Sequence, residues 1–383
     1  MLVSDQQTPA SLALPARALA LPDGAMEAHI AYYESVPAFI VPELERLYRH
    51  INCSFSHFLF RRRAEQASTY VASRGGRIAA IFVHTREKQT VHVLNEMVAL
   101  DSHDIAQFAH YIFGRFASVA RISFSAIGKA LGRLPFPSRQ YGGSEDIVTT
   151  LPATADAYFS SLSSKTRQNI KHRLKTLSRD HPRLQFSSWH DGDIDPAHVR
   201  ALIELKRTQF RQKGLKCGIE ADEAAWIAEQ AQSGGLATIA LLDGRVCGGS
   251  VSLRIGNSYF ATLAAYDAAF AKHGLGMLCC YLTIREKIAR GAARTHLGWG
   301  RNEYKFKLLG VRHDMANLDI YRSRLALLGQ ADRVLGLAAM TRLRQAKLYL
   351  LEHESDPGLP GVLARPFVRG ARALKRSRFA PES

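Results

Sequence analysis

The densest patterning of apolar and polar positions runs from Leu236 to Gly310. It opens with the apolar run Leu236–Leu242, which Asp243-Gly244 turns into Arg245–Arg254. An Asp-Gly pair between two β-rich runs is a strong hairpin signal. A third apolar and aromatic segment, Ser258–Tyr266, follows Gly256-Asn257. The polar loop Asp267–His273 then leads into Gly274-Leu275-Gly276, where a helix is expected to start. Met277, Tyr281, Ile284 and Ile288 fall on one face of that helix, which ends at Gly291. Thr295–Trp299 predicts the next strand and Asn302–Leu309 a short basic helix. The free N–H groups at the start of the long helix form a ready anion site.

The same order of elements recurs upstream. Val41–His50 predicts a helix with Pro42 in its first turn. Thr69–Arg74 and Arg77–Thr85 flank Gly75-Gly76 as strands, and Thr90–Ala99 is another. Asp104–Val119 reads as a helix and Arg121–Ala126 as a strand. Hairpin, strand, helix, strand repeats the order of Leu236–Trp299, so two similar halves are expected. Where the second half has Gly-x-Gly, the first has Leu100-Asp101-Ser102-His103. An acid at a helix start repels phosphate, so a cofactor is expected in the second half alone.

Gly128–Gly143, with Pro135 and Pro137, has the composition of a connector. Beyond it, Lys165–Arg179 predicts a helix capped by Ser163 or Ser164, with Ile170, Leu174 and Leu177 as its apolar stripe. Helices at Pro196–Lys213 and Ala221–Gln232 precede the central stretch. A strand over Asn317–Tyr321 and a helical stretch over Ala331–His353 follow it. The resulting plan is a lead-in over residues 1–26 and an N-terminal half over 27–134. A linker over 135–150, a second half over 151–330 and a helical, basic tail over 331–383 complete it.

Composition narrows the function classes. The chain has 383 residues, enough for two domains, and 46% are hydrophobic, enough for real cores. No run approaches the 18 apolar residues of a membrane span, and no secretory signal pattern opens the chain. The five cysteines lack C-x-x-C spacing, which fits thiols in the cytoplasm better than disulfides or zinc. Neither an H-E-x-x-H metal pattern nor a Gly-x-Ser-x-Gly elbow occurs, so no metal is expected and a serine hydrolase is unsupported. The net charge of +17 fits nucleic acid, anionic lipid or a polyanionic cofactor. Residues 361–383 carry six Lys/Arg and one Glu, or +5, which leaves +12 on the body. In the tail, Arg365, Arg369, Arg372 and Arg376 lie opposite Phe367, Ala371 and Leu374, a pattern of interfacial helices.

Three groups of residues carry a family resemblance: Tyr158-Phe159 with Leu162-Ser163-Ser164-Lys165-Thr166-Arg167, Gly274-Leu275-Gly276, and Gly298-Trp299-Gly300 with Tyr304-Lys305. Over about Tyr158 to Tyr321 the sequence resembles the GNAT acyltransferases. It looks most like the branch related to the cellulose-biosynthesis-type acetyltransferases, and more distantly like the Fem peptidyltransferases. The resemblance implies an α/β (α+β) fold of tandem GNAT-like halves, each a mixed, mainly antiparallel sheet flanked by helices. The family's phosphate loop begins with Arg or Gln; Ala271 stands there, and Lys272 and His273 are expected to supply the charge. His296 stands where relatives often carry an acid.

An acyl-CoA donor needs its phosphates held, its thioester polarised, the acceptor deprotonated and the leaving thiolate protonated. Lys272, His273, Gly274, Leu275, Gly276 and Met277 form the expected phosphate cradle. The resemblance implies Tyr304 as general acid: a phenol near pKa 10 is protonated at neutral pH and can donate to a thiolate of pKa about 8.5. Lys305 is expected to contact a phosphate or an acceptor oxygen, or to be a solvated lysine. Deprotonating an alkylamine at pH 7 is worth up to ~4 kcal/mol, so a base is needed. Asp267, His296 and Glu303 are the alternatives, each with a structural role as its competitor.

The expected activity is transfer of an acyl group from acyl-CoA, or an acyl carrier protein, to an amine or hydroxyl by direct attack. The resemblance makes a cell-envelope, polysaccharide or lipid precursor the acceptor class. The expected location is cytoplasmic, with peripheral contact at an anionic inner membrane face. Two rivals remain: Fem-like aminoacyl transfer from charged tRNA, and a non-catalytic basic protein bound to membrane or nucleic acid.

Overall fold

The computed structural model describes residues 29–60, 65–128, 132–330 and 336. The lead-in, the helical stretch after residue 331 and the basic tail expected from the sequence therefore lie outside the described residues, apart from residue 336.

Among the described residues twelve strands form one sheet, and their order shows the duplication. The first half runs β1 (His29–Tyr33), α1 (Ile40–Tyr48), α2 (Phe55–Phe60), β2 (Ser68–Arg74), β3 (Arg77–Glu87), β4 (Thr90–Val93), α3 (Ser102–Arg115), β5 (Arg121–Gly128) and β6 (Ser138–Thr150). Then come α4 (Ala155–Ser161), α5 (Ser164–Asp180), β7 (Leu184–His190), α6 (Pro196–Gln212), α7 (Ala221–Gly234), β8 (Gly235–Leu242), β9 (Arg245–Ile255) and β10 (Ser258–Tyr266). The second half ends with α8 (Leu275–Ala289), β11 (Arg294–His296), α9 (Glu303–Lys307), β12 (Val311–Tyr321) and α10 (Arg324–Leu328). The spatial order is β1-β2-β3-β4-β5-β12-β6-β11-β10-β9-β8-β7. Only β4/β5 and β10/β11 are parallel among the strand pairings, and each is joined by a crossover helix, α3 or α8.

The last strands of the two halves are exchanged. β6 follows β5 in sequence but pairs with β11, whereas β12 follows β11 but pairs with β5. The two exchanged strands pair with each other at the centre. This corrects the expectation of a linker over residues 135–150. Its Gly and Pro content reads as a connector, yet Asp146, Ile147, Val148 and Thr149 alternate between the two faces of a central strand. Ile147 and Thr149 are fully buried.

Helices cover both faces. On one, α4, α5 and α8 pack over β8–β10, burying Tyr158, Leu162, Ile170, Leu177, Leu278 and Ile284 in one cluster. On the other, α6 and α7 cover the same strands through Val199, Leu202, Ile203, Ile227, Phe260 and Leu263. α3 lies over the first half through Ile105, Phe108 and Ile112. No described helix is long and apolar enough to cross a membrane.

Candidate active site at the parting of two parallel strands

β10 and β11 pair only over Ser258↔Arg294, Tyr259↔Thr295 and Phe260↔His296. β10 then continues to Tyr266 with a bulge between Ala261 and Leu263, while the chain after His296 turns away at Gly298 (φ 69°) and Gly300 (φ 92°). Leu297 gives its N–H to Ile147 of β6 instead. A V-shaped gap opens between the strands. Backbone groups on its edges lose their ladder partners and must find others. Lys206 of α6 donates to Ala264 O at 3.0 Å, and Gln209 donates to Tyr266 O at 2.9 Å. Across the gap, Lys305 donates to Gly298 O at 2.9 Å and Trp299 O at 2.7 Å.

Lys305 thereby ties the Gly298–Trp299 turn to α9. Its ammonium is buried, and desolvation lowers its pKa to about 8 against the opposing pull of Asp146. It clamps the loop that leads into α9, and Tyr304 is the residue before it. Tyr304 is half-buried beside Cys280 of α8, and burial holds its phenol well above the ordinary value.

The loop before α8 is organised differently from the simple expectation. Asp267 caps the short 3-10 turn Ala268–His273, accepting from the Ala269 N–H, and its other oxygen pairs with Arg245 at 3.0 Å. Both carboxylate oxygens are therefore engaged in local structure. His273 turns inward against the His181 ring, buried, and desolvation, then Lys272, lowers its pKa. Its ring does not carry the charge expected of it; Lys272 stays exposed. The positive charge comes from an element that the loop's sequence does not contain. Arg173 of α5, held by Asn169 at 2.5 Å, lays its guanidinium against Gly274, where any Cβ would overlap it. Gly274 takes φ 64° there, a backbone conformation that favours glycine.

Leu275 is wholly buried and Met277 packs on the same cluster, so both serve the core under the helix. At Gly276 a Cβ would meet the Tyr266 ring at 2.6 Å rather than an open phosphate site. Gly276→Ala is therefore expected to cost about 1–3 kcal/mol by overpacking, read as a lower melting temperature. An unchanged melting temperature would mean that the ring moves freely.

Near the foot of the gap stands a group that joins the two halves. His296 Nδ1 lies 2.5 Å from Asp146 Oδ2 on the exchanged strand β6. His50, at the end of α1, brings Nε2 to 3.9 Å from the same oxygen. Phe260 stacks on His296 with centroids 4.2 Å apart. Burial opposes ionisation of Asp146, but hydrogen bonds from His296 and His50 outweigh it and hold the carboxyl well below its usual range. Burial also lowers the pKa of His50, so that ring is neutral. The two histidines and Asp146 are the one trio of metal-type donors within reach of one another among the described residues. The Asn52 N–H donates to His50 Nδ1 at 3.2 Å, which puts the ring proton on Nε2, facing Asp146. A metal ion would have to displace that proton, so the trio is read as one carboxylate accepting from two imidazoles. Sequence spacing singles out His296 but not Asp146 or His50, which lie 150 and 246 positions away.

At the equivalent helix start of the first half, Asp101 accepts from the His103 N–H and Asp104 pairs with Arg74.

Residues 164–306 match the acetyltransferase (GNAT) domain family. Among solved structures the chain is similar to FemX, with a TM-score of 0.57 at 10% identity over 76% of this chain and 98% of that one. It is also similar to the C-terminal domain (DUF2156) of a protein from Agrobacterium fabrum, with a TM-score of 0.44 at 13% identity over 67% of this chain and 85% of that one. A tandem GNAT protein from the clavulanic acid biosynthesis pathway gives a TM-score of 0.36 at 12% identity over 67% of this chain and 82% of that one. A comparison with curated protein sequences finds no match. The chain has a GNAT-like fold, and its residues 164–306 match the acetyltransferase (GNAT) domain family.

Proposed function

We propose that the second half transfers an acyl group from acyl-CoA to an amine or hydroxyl, with the β10/β11 gap as the place of reaction. One observation carries this reading: the Arg173 guanidinium lies at the positive N-terminal end of α8 with no carboxylate partner among the described residues. Two positive features side by side repel each other unless an anion joins them, and a CoA pyrophosphate is such an anion. Arg173, the Leu275 and Gly276 N–H groups and the exposed Lys272 would hold it.

The rest of the gap suits the remaining steps. In an extended strand a residue's N–H and C=O point to the same side, so the Ala264 and Tyr266 N–H groups share the gap with the carbonyls that Lys206 and Gln209 occupy. Such N–H groups can bind the thioester carbonyl oxygen as charge grows on it. The acceptor's nitrogen or oxygen attacks that carbon, its proton passes to His296, the C–S bond breaks, and the Tyr304 hydroxyl donates a hydrogen bond to the departing thiolate. Asp146 holds His296 as the Nδ1–H tautomer, which leaves Nε2 to take the proton.

The test is calorimetry with CoA on the full chain. Wild-type binding is expected at micromolar levels, and Arg173→Gln should weaken it roughly 10–100-fold, the worth of one charge-assisted hydrogen bond. The same variant should not lower the melting temperature without ligand, since it removes a charge facing a helix N-terminus. Failure of wild type to bind CoA, together with tight binding of charged tRNA, would replace this reading by aminoacyl transfer.

A further inference from the structure

A cavity of about 450 Å³ lies between the end of α1, the loop after β4 and the first residues of β10 and β11. Arg49, His50, Asn257, Arg294 and His296 contribute its polar lining, and no carboxylate lines it. Arg294 and His296 are two apart on β11, so they project from one face. Both guanidiniums are exposed, and neither has a carboxylate or carbonyl partner among the described residues. Arg49 closes α1 in the left-handed conformation, φ 47°, a position that helices commonly give to glycine. A cationic side chain is thus kept at a strained position beside His50. The cavity is assembled by both halves, as the Asp146–His296 pair is.

We propose that this cavity is the acceptor pocket and that it recognises an anionic group, a carboxylate or a phosphate, on the acceptor. The proposal rests on the reading of His296 as the base. Arg49 and Arg294 would fix the anion, and the nucleophile borne by the same molecule would reach His296 in the same cavity. An anion is the occupant whose charge the lining complements, since two guanidiniums face it with nothing to neutralise them. The donor phosphates belong to the other side of the gap, at Arg173, so the two anionic groups would be sorted to two separate cationic sites.

The experiment is histidine imidazole NMR on the full chain, titrated separately with inorganic phosphate and with acetate, and with glycerol as the uncharged control. Signals of His50 and His296 are expected to shift saturably with at least one anion and not with glycerol. Which anion acts distinguishes the two chemistries. The double variant Arg49→Gln with Arg294→Gln should weaken that response roughly 10–100-fold, because two charge-assisted contacts are lost. Arg294→Lys, which keeps the charge, should keep most of it. Arg173→Gln should leave it unchanged. Absent shifts in wild type, or shifts that persist in the double variant with the imidazole spectrum otherwise native, would overturn the proposal. The readout does not involve CoA: intact CoA binding without these shifts sinks this proposal alone, whereas lost CoA binding with the shifts intact sinks the acyl-CoA reading and leaves the anion site itself standing.

Discussion

Replacing His296 by alanine is expected to lower kcat/KM by roughly 10²–10⁴, the range for one positioned base. The loss should grow with the pKa of the acceptor. An alkylamine is almost wholly protonated at neutral pH and needs its proton removed, whereas an acceptor already neutral needs less help. CoA affinity should stay within error, because His296 lies away from Arg173 and the α8 N-terminus. Added imidazole should restore part of the rate by entering the cavity beside His50. Asp146→Asn is the companion variant. An amide in its place can donate to Nδ1, which would move the ring proton to Nε2 and remove the base while leaving the ring stacked on Phe260. Full turnover by a folded His296→Ala protein would show that water or another group takes the proton.

That pair also marks how far the residues alone could be read. The central stretch was legible because its signals are local. Asp243-Gly244 closes the β8–β9 hairpin, with Asp243 at φ 51° and Gly244 at φ 79°, and Gly274 sits in the left-handed turn before α8. Each of these depends on residues within a few positions. The exchange of β6 and β12 does not. Ser138–Thr150 contains Gly142, Gly143 and several polar residues, and what makes it a strand is pairing with Val311–Ile320 and Arg294–His296. With β6 assigned to a connector, Asp146 could not be placed beside His296. Arg173 is hidden for a related reason: α5 also carries Lys165, Arg167, Lys171 and Lys175, and nothing local sets Arg173 apart from them. Only the packing of α5 on the α8 start singles it out. Conversely, Asp267 and Lys305 carry the residue types of catalysis, but local demands engage their polar atoms: a helical cap, an ion pair and two stranded carbonyls.

Tyr304→Phe is expected to lower kcat by roughly 10²–10³, the cost of removing one donor aimed at developing charge. The structure changes the role argued for this phenol. Burial raises its pKa further above that of a thiol, so complete proton transfer to the thiolate is uphill. A hydrogen bond that shortens as charge grows on sulfur costs no such transfer, and the thiolate can take its proton later from solvent or from protonated His296. The neutral hydroxyl therefore stays a donor across the working pH range, and the loss in Tyr304→Phe should be flat with pH. A donor whose leaving thiol has a lower pKa should narrow the gap between wild type and Tyr304→Phe, because less charge needs stabilising. CoA affinity should change little, since the ring remains packed on its cluster beside Cys280. Lys305→Met should act through the same residue: without the clamp on Gly298 and Trp299, α9 loses its anchor and the hydroxyl loses its aim. If the donor role is right, Lys305→Met should slow wild type more than it slows a Tyr304→Phe background. Equal slowing in both backgrounds, or full turnover by folded Tyr304→Phe, would remove Tyr304 from the chemistry and leave it a half-buried member of the core.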